Sequence, residues 1–423
     1  MTFNCGSSSV KYSLWEIPLG RICDGIVERV TIGKSFIKHR VAGREEILEH
    51  HECTTHDVAI ELIIDFLTSP EFGVLTDISE IGAAGHRVVH GGEKHDRSVM
   101  IDEGVMRIIE EYSSLAPLHN PANLMGIRSA MNRIRNIPHV ACWDTSFSAA
   151  FMPLHAYIYA IPYEYYEKYG IRRYGYHGLS HLYVAKRAAA LMNKKPSKVN
   201  IITLHVGNGA SITAVKKGVA CDQSLGFSTC GEGPVMGTRC GDLDPIVALF
   251  IMQKENWNIA QVENLLYKRS GVLGISGKYV DRRDLIEAAS QGDARSKLAL
   301  EVECYRMKKY LGAYAAIMGS VDAVVFTGGV GENSPLHREK TCDNLGFLGI
   351  EIDREKNKIA IDRNGEVEIT TPESRVKVFV IPTDEESVIA EDSLAILEGR
   401  YDVHTNFEYS FQKPGFVPYY LRK

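Results

Sequence analysis

The chain of 423 residues contains no apolar run near the roughly 20 residues that a helix needs to span a bilayer, so it offers nothing to place in a membrane. It also lacks a basic surplus. Its 48 lysines and arginines against 53 acidic residues leave a net charge of -5, which gives no electrostatic reason to expect nucleic acid or an anionic lipid surface as a partner. Any anionic ligand must therefore be met by local groups. The nine cysteines form no C-x-x-C pair, and their odd number without a signal peptide points to reduced thiols and a cytoplasmic location rather than a disulfide framework. The P-loop signature G-x-x-x-x-G-K-[ST] is missing, which removes one phosphate cradle. Low-complexity and disordered stretches are absent apart from a tail after Tyr401, where polar and aromatic residues alternate without helical period.

The composition, 45% hydrophobic and 24% charged, is that of a soluble globular protein, and the length predicts two domains with a site in the cleft between them. Chemistry concentrates in residues 201–245. The apolar, β-branched run at 201–204 predicts a buried strand that empties into His205-Val206-Gly207-Asn208-Gly209, where glycines let the backbone turn tightly and offer N–H groups to a phosphate. Residues 211–215 alternate, so the whole reads as a β-hairpin with a glycine-rich tip. A second loop, Met236-Gly237-Thr238-Arg239-Cys240-Gly241-Asp242, sets one arginine between glycines. Such an arginine either clamps a phosphate or carboxylate or sits in solvent paired with Asp242.

The N-terminal segment Asn4-Cys5-Gly6-Ser7-Ser8-Ser9 reads as strand, small polar turn, strand, a degenerate copy of the turn near Gly207. A repeat at that distance predicts two domains of common origin, each with one phosphate-binding hairpin. The turn is either an ordinary β-turn or, with the three consecutive serines Ser7, Ser8 and Ser9 followed by Lys11, a donor-rich contact for polyphosphate. The first strand is short, and the natural start is expected upstream. Farther on, His86-Arg87-Val88-Val89-His90 is a strand running into a glycine loop; no carboxylate lies at ligand spacing, so the histidines read as packing or hydrogen-bonding groups and Arg87 as a fixed cation. The proline-bounded loop Leu118-His119-Asn120-Pro121 presents His119 near a helix N-terminus, a natural anion site. A strand at 139–143 ends at Asp144, either a functional strand-end carboxylate or a helix N-cap. The domain boundary falls in the proline- and tyrosine-rich residues 153–169. His177 and His181 share i, i+4 spacing, but Gly178 and the lack of an intervening glutamate argue against a metal pair. Asp281-Arg282-Arg283 is a charged cluster beside a glycine loop. Residues 323–334 read as strand, diglycine turn and helix start, a backbone-lined slot for a base or ribose.

Taken together, the motifs at Asn4–Ser9, His86 to Gly92, Leu118 to Pro121, Trp143-Asp144-Thr145, Tyr176-His177-Gly178, His205 to Gly209, Met236 to Asp242 and Phe326 to Ser334 resemble the acetate kinase family, in order and spacing, over roughly residues 3–398. The resemblance implies an α/β fold of duplicated actin-like, ribonuclease H-like domains, with mixed sheets flanked by helices and the active site in the interdomain cleft. It implies an N-terminal domain at 1–150 completed by a returning helix at about 384–400, a nucleotide-binding domain at 151–383, and a tail at 401–423 without a counterpart. The implied activity is reversible ATP-dependent phosphorylation of acetate to acetyl phosphate by a cytoplasmic homodimer. Propionate or butyrate is the alternative acceptor, and an actin-like or chaperone-type ATPase the rival from another class.

Position by position, the resemblance assigns Asn4 and Glu385 to Mg²⁺, which Mn²⁺ can replace. Lys11, Ser7 and Ser9 go to phosphate. Arg87, Val89, Leu118 and Tyr176 go to the acyl substrate, and Asp144, His177, Arg239 and His119 to catalysis. ATP or ADP falls to His205, Val206, Gly207, Asn208 and Gly209, to Asp281, Arg282 and Arg283, and to Gly329, Val330, Gly331, Glu332 and Asn333. A carboxylate substrate is already ionised and needs no general base, so Asp144 is expected to orient Mg²⁺ waters or Arg239. Three departures from the family stand out. Tyr176 replaces a phenylalanine and is expected to shorten the acyl pocket or point outward. Arg282 replaces an aromatic residue and is expected to stack on adenine or reach the ribose or phosphates. Residues 228–235 replace the usual Thr-Pro-Leu-Glu-Gly run and bring in Gly231 and Gly233.

Overall fold

Two β-hairpins of the same design organise the chain. The computed structural model describes residues 1–16, 20–117, 119–361 and 364–421. It divides into one unit of Met1–Ala150 with Asp384–Lys423 and another of Phe151–Thr383.

In the first unit, β1 (Thr2–Cys5) and β2 (Ser9–Glu16) pair antiparallel, Cys5 opposite Val10, and Gly6 N–H closes the turn on the Ser9 carbonyl at 2.8 Å. β3 (Gly20–Glu28), β4 (Phe36–Val41) and β5 (Ile47–His50) continue antiparallel on one side. On the other side, β6 (Ala84–Val88) runs parallel to β1, β7 (Val99–Met100) is a short edge strand, and β8 (His139–Trp143) runs parallel to β6. The order is β5-β4-β3-β2-β1-β6-β8-β7. β8 is buried along its whole length, as its apolar run Val140-Ala141-Cys142-Trp143 requires of a parallel strand covered on both faces. The helix Glu385–Leu397 packs on β6 and β8 so closely that a Cβ on Gly85 would lie 2.5 Å from Ile389 Cγ2.

In the second unit, β9 (Asn200–Val206) and β10 (Ala210–Lys216) form the other hairpin, Val206 opposite Ala210, with Gly207 N–H donating to the Gly209 carbonyl at 2.8 Å. β11 (Val219–Gln223) adds antiparallel, β12 (Ala323–Thr327) runs parallel to β9, and the short β13 (Val367–Glu368) pairs antiparallel with β14 (Lys377–Val380), which runs parallel to β12. The order is β11-β10-β9-β12-β14-β13. Thus β3-β2-β1-β6-β8 and β11-β10-β9-β12-β14 are two copies of one topology, the duplication that the repeated turn predicts.

The residues after Tyr401, read from sequence as a tail, pack onto the first unit. Tyr409 and Phe411 are fully buried and stack at 4.8 Å. The buried carboxylate of Asp392 accepts hydrogen bonds from Ser98 Oγ (2.6 Å), Tyr409 Oη (2.7 Å) and Tyr401 Oη (3.3 Å), yet burial pushes its pKa up to about 6. The segment runs as turns and short 3-10 helices, at Ser410–Gln412 and Tyr419–Leu421, and its aromatics pack inward, so the pattern belongs to packing rather than disorder.

Candidate active site

In the first unit, four residues far apart in sequence meet around one guanidinium. β1 supplies Asn4, β6 supplies Arg87, the end of β8 supplies Asp144, and the first turn of the helix Glu385–Leu397 supplies Glu385. Parallel pairing of β1, β6 and β8 brings their carboxyl ends to the same edge, where such sheets carry functional side chains. Arg87 donates through Nη2 to Asp144 Oδ2 (2.9 Å), through Nε to Asp144 Oδ1 (3.3 Å) and through Nη1 to Asn4 Oδ1 (3.4 Å), and its Nε lies 3.4 Å from Glu385 Oε2. Burial opposes the arginine's charge, but Asp144 and Glu385 more than offset it and raise its pKa above the ordinary value. Glu385 has the opposite fate. Burial outweighs the help of Arg87, and with Asp144 close by its carboxyl is pushed up to about 7. The cluster therefore carries more negative charge than one arginine satisfies.

Asp144 is almost completely buried, and the short helix Ser146–Ala149 that follows takes Thr145 as its N-cap, so the capping alternative for Asp144 does not hold; its carboxylate grips Arg87. His86 Nε2 shares a hydrogen bond with His139 Nδ1 at 2.9 Å, and His90 Nδ1 accepts from Gly92 N–H at 3.0 Å, which bears out the packing and hydrogen-bonding reading of both histidines. No group of three or more His, Cys, Asp and Glu suited to a metal ion occurs among the described residues. His119 is the N-cap of the helix Asn120–Arg133, and two asparagines of that helix fix the loop after β6. Asn123 accepts from Val89 N–H (3.1 Å) and donates to the Cys5 carbonyl (2.7 Å); Asn120 accepts from His90 N–H (3.0 Å) and donates to the His90 carbonyl (2.9 Å). Sequence reasoning gave Asn123 no role, because nothing local marks a helical asparagine whose partners lie 34 and 118 positions away. Val89 is buried, and Leu118 lies outside the described residues. Ser7 is exposed in the hairpin turn, and Lys11 is exposed on β2 opposite Asn4.

In the second unit, His177 is the N-cap of the helix Gly178–Leu191 and holds a left-handed backbone at φ 58°, uncommon for histidine. Its Nδ1 lies 2.8 Å from Ser211 Oγ and its ring stacks on His205 at 4.3 Å. His181 bonds to Thr203 Oγ1 and Ser211 Oγ, both at 2.7 Å, and burial holds its pKa well below the usual value, so it is a neutral brace. The Arg239 loop folds back on the hairpin tip through Gly237 N–H to the Asn208 carbonyl at 3.0 Å. Arg239 Nη1 donates to the Thr229 carbonyl at 2.7 Å. A Cβ on Gly209 would lie 2.6 Å from Arg239 Nη2 and 3.4 Å from His177 Nε2, so the two predicted catalytic side chains converge over the glycine tip.

Asp242 is not the partner of Arg239. It accepts instead from Gly233 N–H (2.9 Å) and Tyr310 Oη (2.8 Å). Among the described residues no carboxylate lies within ion-pair distance of Arg239, and burial lowers its pKa from the usual value. A desolvated guanidinium without a counter-ion is a strong site for an anion.

Tyr176 is buried, with its hydroxyl donating to the Phe227 carbonyl at 3.0 Å, so the extra oxygen is satisfied by the backbone just before the altered loop. Arg282 differs from expectation. The residue is 6% exposed and its guanidinium is bonded to Glu303 Oε1 (2.7 Å) and the Val280 carbonyl (2.9 Å), a brace within the unit rather than a cation reaching for a base. Glu303 explains this, because a carboxylate buried in the helix Ala294–Met318 requires neutralisation; Arg282 and His337 overcome its burial and hold its pKa at about 2. Asp281 caps the helix Arg282–Ser290 and pairs with the exposed Arg283 at 2.6 Å. Glu332 also turns inward, accepting from Gly328 N–H (2.8 Å), Thr327 Oγ1 (3.2 Å) and Thr383 N–H (3.1 Å). Gly329 and Asn333 are exposed on that short helix, Gly328–Asn333, where Gly331 is buried and Val330 half-buried.

A sequence profile of the acetokinase family matches residues 1–391. The chain is 55% identical over 418 residues to an acetate kinase of Geobacter metallireducens, covering 99% of each. Among solved structures it is similar to the acetate kinase of Porphyromonas gingivalis, with TM-score 0.87 and 46% identity over 94% of this chain and 98% of that one. It is also similar to a propionate kinase from Francisella tularensis, with TM-score 0.85 and 37% identity over 93% and 98% of the two chains.

Proposed function

The chain belongs to the acetokinase family and is a phosphotransferase of the duplicated actin-like fold with ATP as co-substrate, and from that premise we propose that it transfers the γ-phosphoryl group of ATP, reversibly and in line, to the carboxylate of acetate. The observation that carries this reading is the contrast between the two arginines: Arg87 is locked by Asp144, whereas Arg239 is half-buried without a carboxylate within ion-pair distance among the described residues. Between an incoming carboxylate and the phosphate oxygens, the transition state gathers negative charge, so the work is fixed cations and alignment rather than proton transfer. Asp144 takes the Nε/Nη2 edge of Arg87 and Asn4 one Nη1 N–H, which leaves one N–H on each terminal nitrogen to hold an acetate carboxylate end-on. Arg239 and His177 supply positive charge and a ring nitrogen beside the hairpin tip, where charge develops during transfer. Asn4 Oδ1 and Glu385 Oε2 both approach Arg87 to 3.4 Å, and the raised Glu385 carboxyl marks a deficit of positive charge. Hard oxygen donors of this kind suit Mg²⁺, or Mn²⁺ in its place, which when bound neutralises phosphate oxygens.

Acetate is the proposed acceptor, with propionate the alternative that the glycines of the 228–235 loop favour. The helix Pro245–Glu255 exposes Ile246, Leu249 and Phe250, and this apolar face supports self-association as a homodimer. All nine cysteines are free thiols, which supports the cytoplasmic reading. No helix among the described residues is long and apolar enough to cross a membrane. A hydroxylamine trap tests the proposal: acyl hydroxamate should form only with both ATP and acetate. Phosphate release that is independent of acetate, without hydroxamate, would reject the kinase in favour of an actin-like ATPase.

A further inference from the structure

Cys230 and Cys240 bring their sulfurs to 3.9 Å. Backbone bonds hold them there: Gly241 N–H donates to the Cys230 carbonyl (3.1 Å), and Cys240 N–H donates to the Leu266 carbonyl (3.2 Å). Cys230 is buried, and Cys240 is partly exposed. A disulfide bond is about 2.05 Å long, so closure requires the sulfurs to approach by roughly 1.9 Å. Neither thiol belongs to the phosphoryl-transfer machinery, yet together they bracket Arg239. Cys240 is its chain neighbour, and Cys230 follows Thr229, whose carbonyl accepts from Arg239 Nη1 at 2.7 Å. Both anchors of the guanidinium therefore lie next to a sulfur.

We infer that Cys230 and Cys240 are a redox-active dithiol, and that its closure to a disulfide displaces Arg239 and stops turnover. The inference rests on the role given to Arg239 above. The hydrogen bond between the thiols lowers the pKa of Cys240, while the same bond and burial raise that of Cys230, so the exposed member is the first nucleophile. The Cys240 thiolate attacks one sulfur of a small-molecule disulfide, forming a mixed disulfide and releasing one thiolate. Cys230 loses its proton and attacks the Cys240 sulfur, releasing the second thiolate. Two protein thiols are oxidised, and one external disulfide is reduced to two thiols.

The test treats the whole reduced enzyme with glutathione disulfide and follows kcat beside peptide mass mapping. A Cys230–Cys240 link should form, and kcat should fall by at least about 10-fold, since a displacement near 1 Å at a catalytic group can cost 10²-fold. Dithiothreitol should restore both. The C230S/C240S variant should keep its kcat under the same treatment, and C230S should retain glutathione on Cys240. The inference is overturned if no such link forms, if the linked enzyme keeps full kcat, or if the double variant is inactivated as the native protein is. Link formation is read by mass without reference to acetate, so failure of the reduced enzyme in the hydroxylamine trap would reject the kinase reading separately.

Discussion

Gly209→Ala separates the chemistry of the hairpin tip from its folding. The added Cβ would lie 2.6 Å from Arg239 Nη2, against an ordinary contact near 3.5 Å, so the guanidinium must retreat by about 0.9 Å. Its contacts with His177 Cε1 and Nε2, at 3.4 Å, need little adjustment. Gly209 does not hold a left-handed backbone, and the obstruction is the far end of a flexible side chain, so the fold has little to resist the methyl group. A displacement of that size at a group that stabilises the transition state costs roughly 10- to 100-fold in kcat, or about 1.4 to 2.7 kcal/mol of barrier. Thermal unfolding should shift by no more than about 1 kcal/mol in either direction. The assay is steady-state kinetics by hydroxamate formation, paired with a melting curve. Arg239→Ala sets the floor, with kcat lowered by about 10²-fold or more and a smaller change in the KM for ATP. If Gly209→Ala keeps kcat within about twofold while its melting point is unchanged, the guanidinium seen beside Gly209 is not the working position of Arg239.

Three further outcomes are open to measurement. Acetate should exceed propionate by roughly 10-fold in kcat/KM, with butyrate poor, because one methylene in an apolar pocket is worth about 1 to 3 kcal/mol; a rise from acetate to propionate would refute this. Gly329→Ala adds a methyl where nothing lies within 4 Å, so the melting point should stay put while the KM for ATP rises several-fold, and an unaltered KM would remove Gly329 from the nucleotide site. Asp392, with a folded pKa of about 6 against about 3.9 unfolded, keeps its proton longer in the native state, so stability falls as pH rises through that interval and the penalty of up to about 3 kcal/mol persists above it. Asp392→Asn should therefore gain in melting temperature over the native protein between pH 4.5 and pH 8, whereas a gap that is flat or shrinking with pH would count against the buried-carboxyl account.

Much of this was written in local pattern. Both hairpins, the strand that carries Arg87, and the strand that ends just before Asp144 follow from apolar runs broken by small or glycine-rich turns, and the repeated turn announced the duplicated sheet. What escaped were particular side-chain pairings between distant segments. The demand of Glu303 for a partner is invisible at Arg282, 21 positions earlier, so the arginine read as a ligand contact. The choice of Arg87 by Asp144 depends on β6 and β8 lying parallel, which no spacing in the sequence states. Glu332 sits in a motif yet spends its carboxylate on three donors within the second unit. Cysteines ten positions apart match no familiar motif, and only the folded loops bring their sulfurs together.

The first unit is assembled from both ends of the chain, and this imposes an order on its manufacture. Residues 1–150 emerge with all eight strands of the sheet, but the helix that covers β6 and carries Glu385 follows only after the second unit, roughly 230 residues later. At about 5 to 20 residues per second, a ribosome needs some 10 to 50 s to cross that gap. By the end of that interval the second unit has its full sequence to fold with, while the first still has Arg87 and Asp144 but neither Glu385 nor the apolar cover supplied by Ile389. A product terminated within the second unit therefore exposes part of the β6 surface and lacks a complete charge cluster. Competence for phosphoryl transfer thus arrives late in synthesis, and incomplete chains remain both inactive and sticky.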